Sequence, residues 1–251
     1  MRWLPWRALA FPALLLSALE WWSRTVGRHS DALAAPSAAA QALGKALADG
    51  SLLGATAFTL GSAALGLALA CLAGVALGTL LGLSRRAASM GFLTIEVLRP
   101  IPSVALIPLA MLVYGFGLRM EVSVVAFATF WPMLILSQAA VRQVEPQLLE
   151  VARALELPAH KAFRSIVLPA IVPRLFVALR LGVAIALVVA VTVEIAANPH
   201  GMGYALIIAQ QSLDPALMMA WLFWIGFIGY TVNALTLRLQ VAVARRMGAQ
   251  P

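Results

Sequence analysis

A chain of 251 residues that is 62% hydrophobic and only 11% charged carries more apolar surface than a soluble core of that size can bury. With a mean hydropathy of +0.92, the composition indicates an integral membrane protein. The net charge of +8 does not indicate a nucleic-acid-binding protein, because the 18 lysines and arginines are dispersed between apolar stretches rather than gathered in a basic stripe.

The first predicted membrane helix covers residues 1–22. Its apolar part runs from Ala8 to Leu19 and has tryptophans at both ends, as interfacial belts do. A signal peptide has an apolar part of similar length, but the bulky Glu20-Trp21-Trp22 replaces a small-residue cleavage site and favours a retained helix or uncleaved signal anchor. Residues 23–50 are polar or alanine-rich and are predicted to lie on the outer side of the membrane.

The second predicted span, Ser51 to Leu83, has small residues at every fourth position. This ridge consists of Ser62, Gly66, Ala70, Gly74, Gly78 and Gly82. Because small residues let another helix approach closely, we interpret the ridge as a packing surface inside one subunit rather than as a dimer seam. The only cysteine, Cys71, lies in the same span; it excludes an internal disulfide and a cysteine-based metal cluster, and we interpret it as a packing residue.

The third predicted span, from about Met90 to Tyr114, contains three prolines and two charged residues. The prolines interrupt the helix, which lipid tolerates only where protein or a water-filled cavity satisfies the freed carbonyls. The span is therefore predicted to line a pathway. Glu96 and Arg99 are three residues apart, so they either pair with each other at the membrane edge or belong to that pathway.

Three further membrane spans are predicted: Val122 to Val141, Leu175 to Ala197 and Ala216 to Leu237. They bring the expected number of spans to six, which places both termini on the inner side. Gly115 to Glu121 is predicted to be a short outer turn. Of the 18 lysines and arginines, fourteen then lie at the inner side, as the positive-inside rule requires, and four lie outside: Arg24, Arg28, Lys45 and Arg119.

The largest inner loop, residues 143–173, is predicted to form two short amphipathic helices. Pro146 suits a helix N-terminus, and an apolar face follows at helical spacing: Leu148, Val151, Ala152 and Leu155. Pro158 is expected to end this helix, and Pro169 is expected to end the second one. Helices this short and polar cannot span a bilayer and need a partner surface.

Catalytic motifs are absent from the sequence. A P-loop requires Gly-Lys followed by Ser or Thr, and the only two lysines, Lys45 and Lys161, are followed by alanine. There is no HExxH or Gly-x-Ser-x-Gly motif, and His29, His160 and His200 are far apart, so no metal site is expected. The chain is therefore predicted not to be an enzyme.

The same inner loop contains a longer motif. It reads Glu-Val-Ala-Arg-Ala-Leu-Glu from position 150, and three further residues complete the motif: Ile166, Leu168 and Pro169. This arrangement resembles the EAA loop of the membrane subunits of bacterial binding-protein-dependent ABC importers, whose pattern is Glu-Ala-Ala, three residues, Gly, nine residues, Ile, one residue, Leu-Pro. Two positions depart from the pattern: Val151 replaces an alanine, and Glu156 replaces the glycine that breaks the two helices. Pro158 is the other candidate for that break.

A second motif narrows the subfamily. Residues 98–103 read Leu-Arg-Pro-Ile-Pro-Ser and residues 105–109 read Ala-Leu-Ile-Pro-Leu, which is similar to a segment of nitrate, taurine and aliphatic sulfonate permeases. The resemblance implies an all-α protein of the bacterial inner membrane with about six transmembrane helices, five of them in a permease core over residues 51–251. Residues 23–50 would then be periplasmic, and the loop 143–173, which we call the coupling loop, would be cytoplasmic.

The resemblance also implies partners: a second copy of the chain, a periplasmic solute-binding protein, and a separate ABC ATPase subunit that binds ATP and Mg²⁺. The chain itself would bind no cofactor. The residues implied to couple to the ATPase are Leu148, Glu150, Val151, Ala152, Arg153, Leu155, Glu156, Leu168 and Pro169. Glu150 would fix the register by pairing with a cation of the partner; the alternative is that it pairs with Arg153 on its own helix.

Two transport functions stay open at this point, beside a membrane-anchored scaffold that would move no solute. The first is an importer permease for a small anionic solute of the sulfonate, taurine or nitrate class. The second is a secondary transporter or channel driven by an ion gradient, in which Glu96 and Glu194 would carry the proton or ion. The polar residues expected to line the translocation pathway are Glu96, Arg99, Ser103, Thr192 and Glu194.

Overall fold

The computed structural model describes residues 6–25 and 34–246, and all regular structure in those ranges is helical. Eleven α-helices follow one another there: α1 Trp6–Thr25, α2 Pro36–Ala48, α3 Ser51–Leu83, α4 Arg85–Leu98, α5 Ile107–Tyr114, α6 Leu118–Arg142, α7 Pro146–Ala154, α8 Ala159–Ala162, α9 Leu168–Ala196, α10 Gly201–Gln211 and α11 Pro215–Arg246. A 3-10 helix, Ser103–Leu106, precedes α5, and a π turn, Phe163–Val167, joins α8 to α9. The start of the predicted first helix, at 1–5, and the middle of the predicted outer segment, at 26–33, lie outside the described residues.

Five stretches of the described residues are long and apolar enough to cross a membrane, if the bent pair formed by α4 and residues 103–114 counts as one. The others are α3, α6, the continuous helix Ala159–Ala196, and α11. The all-α membrane fold predicted from the sequence is thus confirmed. The first expected span, α1, is helical over 20 residues but does not meet the criteria of length, hydropathy and low charge that the other five stretches meet. The described residues therefore contain five candidate spans, one fewer than the predicted six.

The third predicted span is broken rather than continuous. α4 begins after Ser84, whose hydroxyl oxygen caps the helix by accepting a hydrogen bond from the Ala87 N–H at 3.2 Å. It ends at Leu98, ahead of Pro100 and Pro102, and the next helical stretch is bent by 81° from it. The predicted interruption by prolines is therefore confirmed.

The small-residue ridge of α3 packs against α6 of the same chain, as predicted. Gly66 lies against the Val125 side chain, and Gly78 lies against the α6 backbone at Leu134. A Cβ atom at either glycine would overlap α6, so the ridge sets the distance between the two helices. The ridge is covered within the subunit and is not a dimer seam.

The second half of the coupling loop is not a separate short helix. A single helix, Ala159–Ala196, continues through Pro169 into the next span, so the predicted stop at Pro169 is wrong. The π turn just before this proline explains the difference. The Leu168 N–H donates to the Phe163 carbonyl, and the wider turn makes room for the Pro169 ring, which has no N–H to donate.

At the other end of the bundle, α2 and α10 cover the ends of the long helices. α2 packs on the start of α11, where Ala39 and Met219 are buried together. α10 packs on α9, α11 and α3 through Met202 and Ala209, both fully buried. Part of the predicted outer segment 23–50 is thus a helix packed on the bundle.

Candidate functional site

α7 forms the first half of the coupling loop and has apolar residues on two faces. Its inner face includes Leu149, which packs on buried residues at the ends of α6 and α9, and Ala152, which is only 6% exposed. Its outer face leaves Leu148, Val151 and Leu155 exposed by 39%, 50% and 64%. Of the four residues predicted to form one docking face, Ala152 is held within the subunit and the other three are open to a partner.

Glu150 is exposed on α7 beside this outer face. No salt bridge joins it to Arg153 in the described part of the chain, and Arg153 instead lines a cleft next to α7. The alternative that Glu150 pairs with Arg153 on its own helix is therefore not seen in the structure.

The break after α7 falls at Glu156, where the EAA pattern has glycine, and not at Pro158. Glu156 has φ 49°, in the left-handed region that favours glycine. Two backbone bonds close the helix, from the Glu156 N–H to the Arg153 carbonyl at 2.9 Å and from the Leu157 N–H to the Ala152 carbonyl at 3.0 Å. This is the Schellman arrangement that glycine usually completes, so Glu156 occupies the glycine geometry at a cost in backbone strain.

Glu156→Gly is expected to stabilise the end of α7 by about 1 kcal/mol, since glycine adopts the left-handed conformation without a Cβ clash. Slower hydrogen exchange of the α7 amides would show this gain. Glu156→Ala is the matched control, because it removes the same charge and retains the Cβ atom. Equal protection in the two variants would mean that the charge, and not the backbone strain, is responsible.

A cleft of about 1000 Å³ lies between α4, the ends of α3 and α6, and α7. Its charged lining has four guanidinium groups and one carboxylate: Arg85, Arg99, Arg142, Arg153 and Glu96. No salt bridge pairs any of these groups within the described residues, so Glu96 and Arg99 line the cleft side by side without pairing. The excess of positive charge makes the cleft attractive to anions.

The other predicted pathway residues lie elsewhere. The Thr192 hydroxyl donates to the Val188 carbonyl of its own helix at 2.7 Å. Ser103 begins the 3-10 helix before α5 and does not line the cleft. Glu194 is only 1% exposed and belongs to a buried polar cluster near the far end of α9. The structure thus brings Glu96 and Arg99 together and separates both from Glu194.

Glu121 is the buried residue that sequence reasoning missed. Its predicted place is an outer turn, but it lies in the first turn of α6 with 0% exposure. Its carboxylate accepts hydrogen bonds from the Ser62 hydroxyl and the Asn198 side-chain amide, and it neighbours the Glu194 carboxyl. The available signal was its position directly before an apolar span, where a carboxyl group needs polar partners.

The chain matches known transport proteins over most of its length. Residues 66–249 match the family model described as "Binding-protein-dependent transport system inner membrane component". A Bacillus subtilis protein described as an aliphatic sulfonates transport permease, SsuC, is 32% identical over 64% of this chain and 59% of its own length. The nitrate import permease NrtB of Leptolyngbya laminosa is 27% identical over 68% of this chain and 62% of its own. The chain therefore spans less than two thirds of the length of these two relatives.

A third relative and a solved structure extend the comparison. The bicarbonate transport system permease CmpB of Synechococcus elongatus is 27% identical over 79% of this chain and 72% of its own. A chain from a crystal structure of an amino acid ABC transporter with histidines has a TM-score of 0.65 at 18% identity, over 81% of this chain and 97% of that one, which shows a shared fold. Because the family model covers well over half of the sequence, the chain belongs to the inner membrane components of binding-protein-dependent transport systems.

Proposed function

We propose that this protein is the subunit through which a small anion crosses the inner membrane into the cell, driven by a separate ATPase that docks on the coupling loop. The observation that carries the proposal is the outer face of α7, where Leu148, Val151 and Leu155 are exposed on a helix whose other face is buried. Glu150 lies beside them and has no ion pair in the described residues. Apolar anchors with a charge at their edge suit a groove on another protein.

α7 is also placed to transmit motion to the membrane spans. Leu149 packs on the buried cluster that includes Val141 of α6 and Ile171 of α9. Close by, the Arg174 guanidinium of α9 donates to the Ala140 carbonyl of α6 at 3.2 Å. A rigid-body displacement of a docked α7 would therefore move α6 and α9 together.

The charge pattern and the family support the proposed sidedness and partners. The positive-inside distribution supports a cytoplasmic coupling loop with both termini cytoplasmic. ATP and Mg²⁺ would be bound by the ATPase subunit, since this sequence contains no P-loop. The resemblance supports a homodimer that receives solute from a periplasmic binding protein on the opposite face.

The proposed solute is a small molecule with an anionic group, of the sulfonate, taurine or nitrate class. The names of the relatives support an anion, because they are permeases for sulfonates, nitrate and bicarbonate. The cleft beside α7 supports it independently, since four arginines against one glutamate create a positive potential at the proposed exit side.

Reconstitution into liposomes tests the proposal. The purified chain alone is expected to hydrolyse no ATP. Together with its ATPase subunit and a solute-loaded binding protein, it is expected to support ATP-dependent uptake that survives an ionophore. Uptake by the chain alone that the ionophore abolishes would instead support the gradient-driven alternative, whose two carboxylates, Glu96 and Glu194, lie in separate sites.

A further inference from the structure

Five polar side chains are buried together at the end of the bundle opposite the coupling loop. They are Thr59 and Ser62 of α3, Glu121 of α6, Glu194 of α9, and Asn198 of the segment that leads to α10, and each is at most 1% exposed. Two of the five are carboxyl groups, which are almost never fully buried without a partner. The proposed transport function assigns no role to this cluster.

The Glu121 carboxyl has the donors that an ionised carboxylate needs. The Ser62 hydroxyl oxygen contacts Oε1 and also lies 2.9 Å from the Thr59 carbonyl oxygen of its own helix. A hydroxyl has a single hydrogen, and a bond to a charged carboxylate is stronger than one to a carbonyl, so we assign the Ser62 hydrogen to Oε1. The Asn198 side-chain amide donates to Oε2. Both of its oxygens are therefore occupied as acceptors, which is the arrangement that suits the anion.

The Glu194 carboxyl lacks a donor. The Gly203 N–H, at the start of α10, donates to Oε2 at 2.8 Å, but Oε1 has no hydrogen-bond partner. The Asn198 side-chain oxygen, Oδ1, is a second acceptor in the cluster without a donor. A buried polar atom left unpaired costs about 1–3 kcal/mol. The cluster is thus short of at least one hydrogen.

Within residues 6–25 and 34–246, no basic side chain neutralises the two carboxyl groups. Neither forms a salt bridge within the described residues. The groups that face them from α3 are the hydroxyls of Thr59 and Ser62, and from α10 the Gly203 N–H faces Glu194. His200, which precedes α10, is exposed and stacks on Phe58 with the ring centroids 5.2 Å apart. Two adjacent carboxylates in such a place cannot both remain ionised without a cation.

We propose that Glu121 and Glu194 form a buried proton-binding site that holds one proton, on Oε1 of Glu194. Oε1 of Glu194 and Oδ1 of Asn198 are buried acceptors without a donor, and a proton on a carboxyl group supplies one, because ionised carboxylates only accept. The donor count selects Glu194, since Glu121 already has a donor on each oxygen. The proton converts Glu194 into the missing donor and leaves the pair with a single negative charge.

The site binds the start of α10 to the long helices α3 and α9 through hydrogen bonds. The Met202 N–H donates to the Thr59 hydroxyl oxygen at 2.9 Å, next to the bond from Gly203 to Glu194. Gly201 has φ 92°, and a Cβ atom there would overlap the Glu194 carboxyl. The first turn of α10 is therefore fitted directly around this carboxyl group. Loss of the proton would add a second negative charge beside Glu121.

Infrared spectroscopy of the full chain in lipid bilayers at neutral pH tests the site. The wild type is expected to show a carbonyl band of a protonated carboxyl group that shifts in D₂O. The band should disappear in Glu194→Gln and remain in Glu96→Gln, whose side chain lines the open cleft. No such band in the wild type, or a band that persists in Glu194→Gln, would overturn the proposal. A band that appears only after sodium is withdrawn would also overturn it, by assigning the site to a metal cation.

Thermal unfolding gives a second readout that separates the two carboxyl groups. Glu194→Gln retains a neutral side chain with a donor, so it is expected to leave the melting midpoint nearly unchanged. In Glu121→Gln, the side-chain NH₂ group replaces one of the two acceptor oxygens, so it faces the donor of either Ser62 or Asn198. The variant is therefore expected to lower the melting midpoint by about 4 °C or more. Equal losses in the two variants would contradict the placement of the proton on Glu194.

Discussion

Glu150→Lys is expected to abolish solute-stimulated ATP hydrolysis and ATP-driven uptake while the chain still folds and inserts into the membrane. The side chain is exposed on α7 and has no ion pair in the described residues, so the substitution leaves the subunit's own contacts intact. At the proposed interface it reverses the charge that a cation of the ATPase would meet. Loss of such a pair costs about 2–5 kcal/mol, which weakens docking by at least about thirtyfold. Co-purification of the ATPase with the variant measures this directly.

Glu145→Lys is the matched control for this experiment. Glu145 carries the same charge, is exposed, and precedes α7 without making a capping bond to it. It lies outside the apolar outer face, so its variant is expected to retain wild-type uptake. Loss of uptake in both variants would point to the net charge of the coupling loop, and retention in both would contradict docking through Glu150.

The membrane spans and α7 could be predicted because their signals are local. Apolar length, proline positions and helical periodicity act within one segment, and they correctly start α7 at Pro146 and break the third span at Pro100 and Pro102. The proton site could not be predicted in this way. Glu121 and Glu194 belong to helices far apart in the sequence, and only the packing of α6 against α3 and α9 brings them together.

Two residues of the coupling loop show where tertiary structure overrides a local rule. Pro169 should stop a helix, but Val167 and Ile171 on either side of it are buried against α6, and the π turn lets the helix continue between them. Glu156 should avoid a left-handed backbone, but Leu149 anchors α7 on the same buried cluster. With both helices fixed by packing, the residue between them accepts the strained turn.

Gly78→Val is expected to separate α3 from α6 and to remove most of the folded protein. A Cβ atom at Gly78 would overlap the Leu134 carbonyl oxygen and come within 2.9 Å of the Ser137 Cβ and 3.1 Å of the Gln138 nitrogen. Two of these three are backbone atoms of α6, which no rotamer change can move, so the helices must shift apart. Overpacking of this kind costs about 1–3 kcal/mol or more. The yield of monodisperse protein and its melting midpoint measure the loss.

Gly61→Val separates this packing effect from the general cost of replacing a glycine in α3. No atom lies within 4 Å of a Cβ built at Gly61, so its variant is expected to match the wild type in yield and midpoint. Gly78→Ala should lie between the two valine variants, because its single added carbon already meets the Leu134 carbonyl. Helix propensity alone predicts that Gly78→Ala is more stable than the wild type, since alanine is favoured over glycine in a helix by about 1 kcal/mol. A Gly78→Ala variant as stable as the wild type would therefore mean that the ridge does not hold α3 and α6 in close contact.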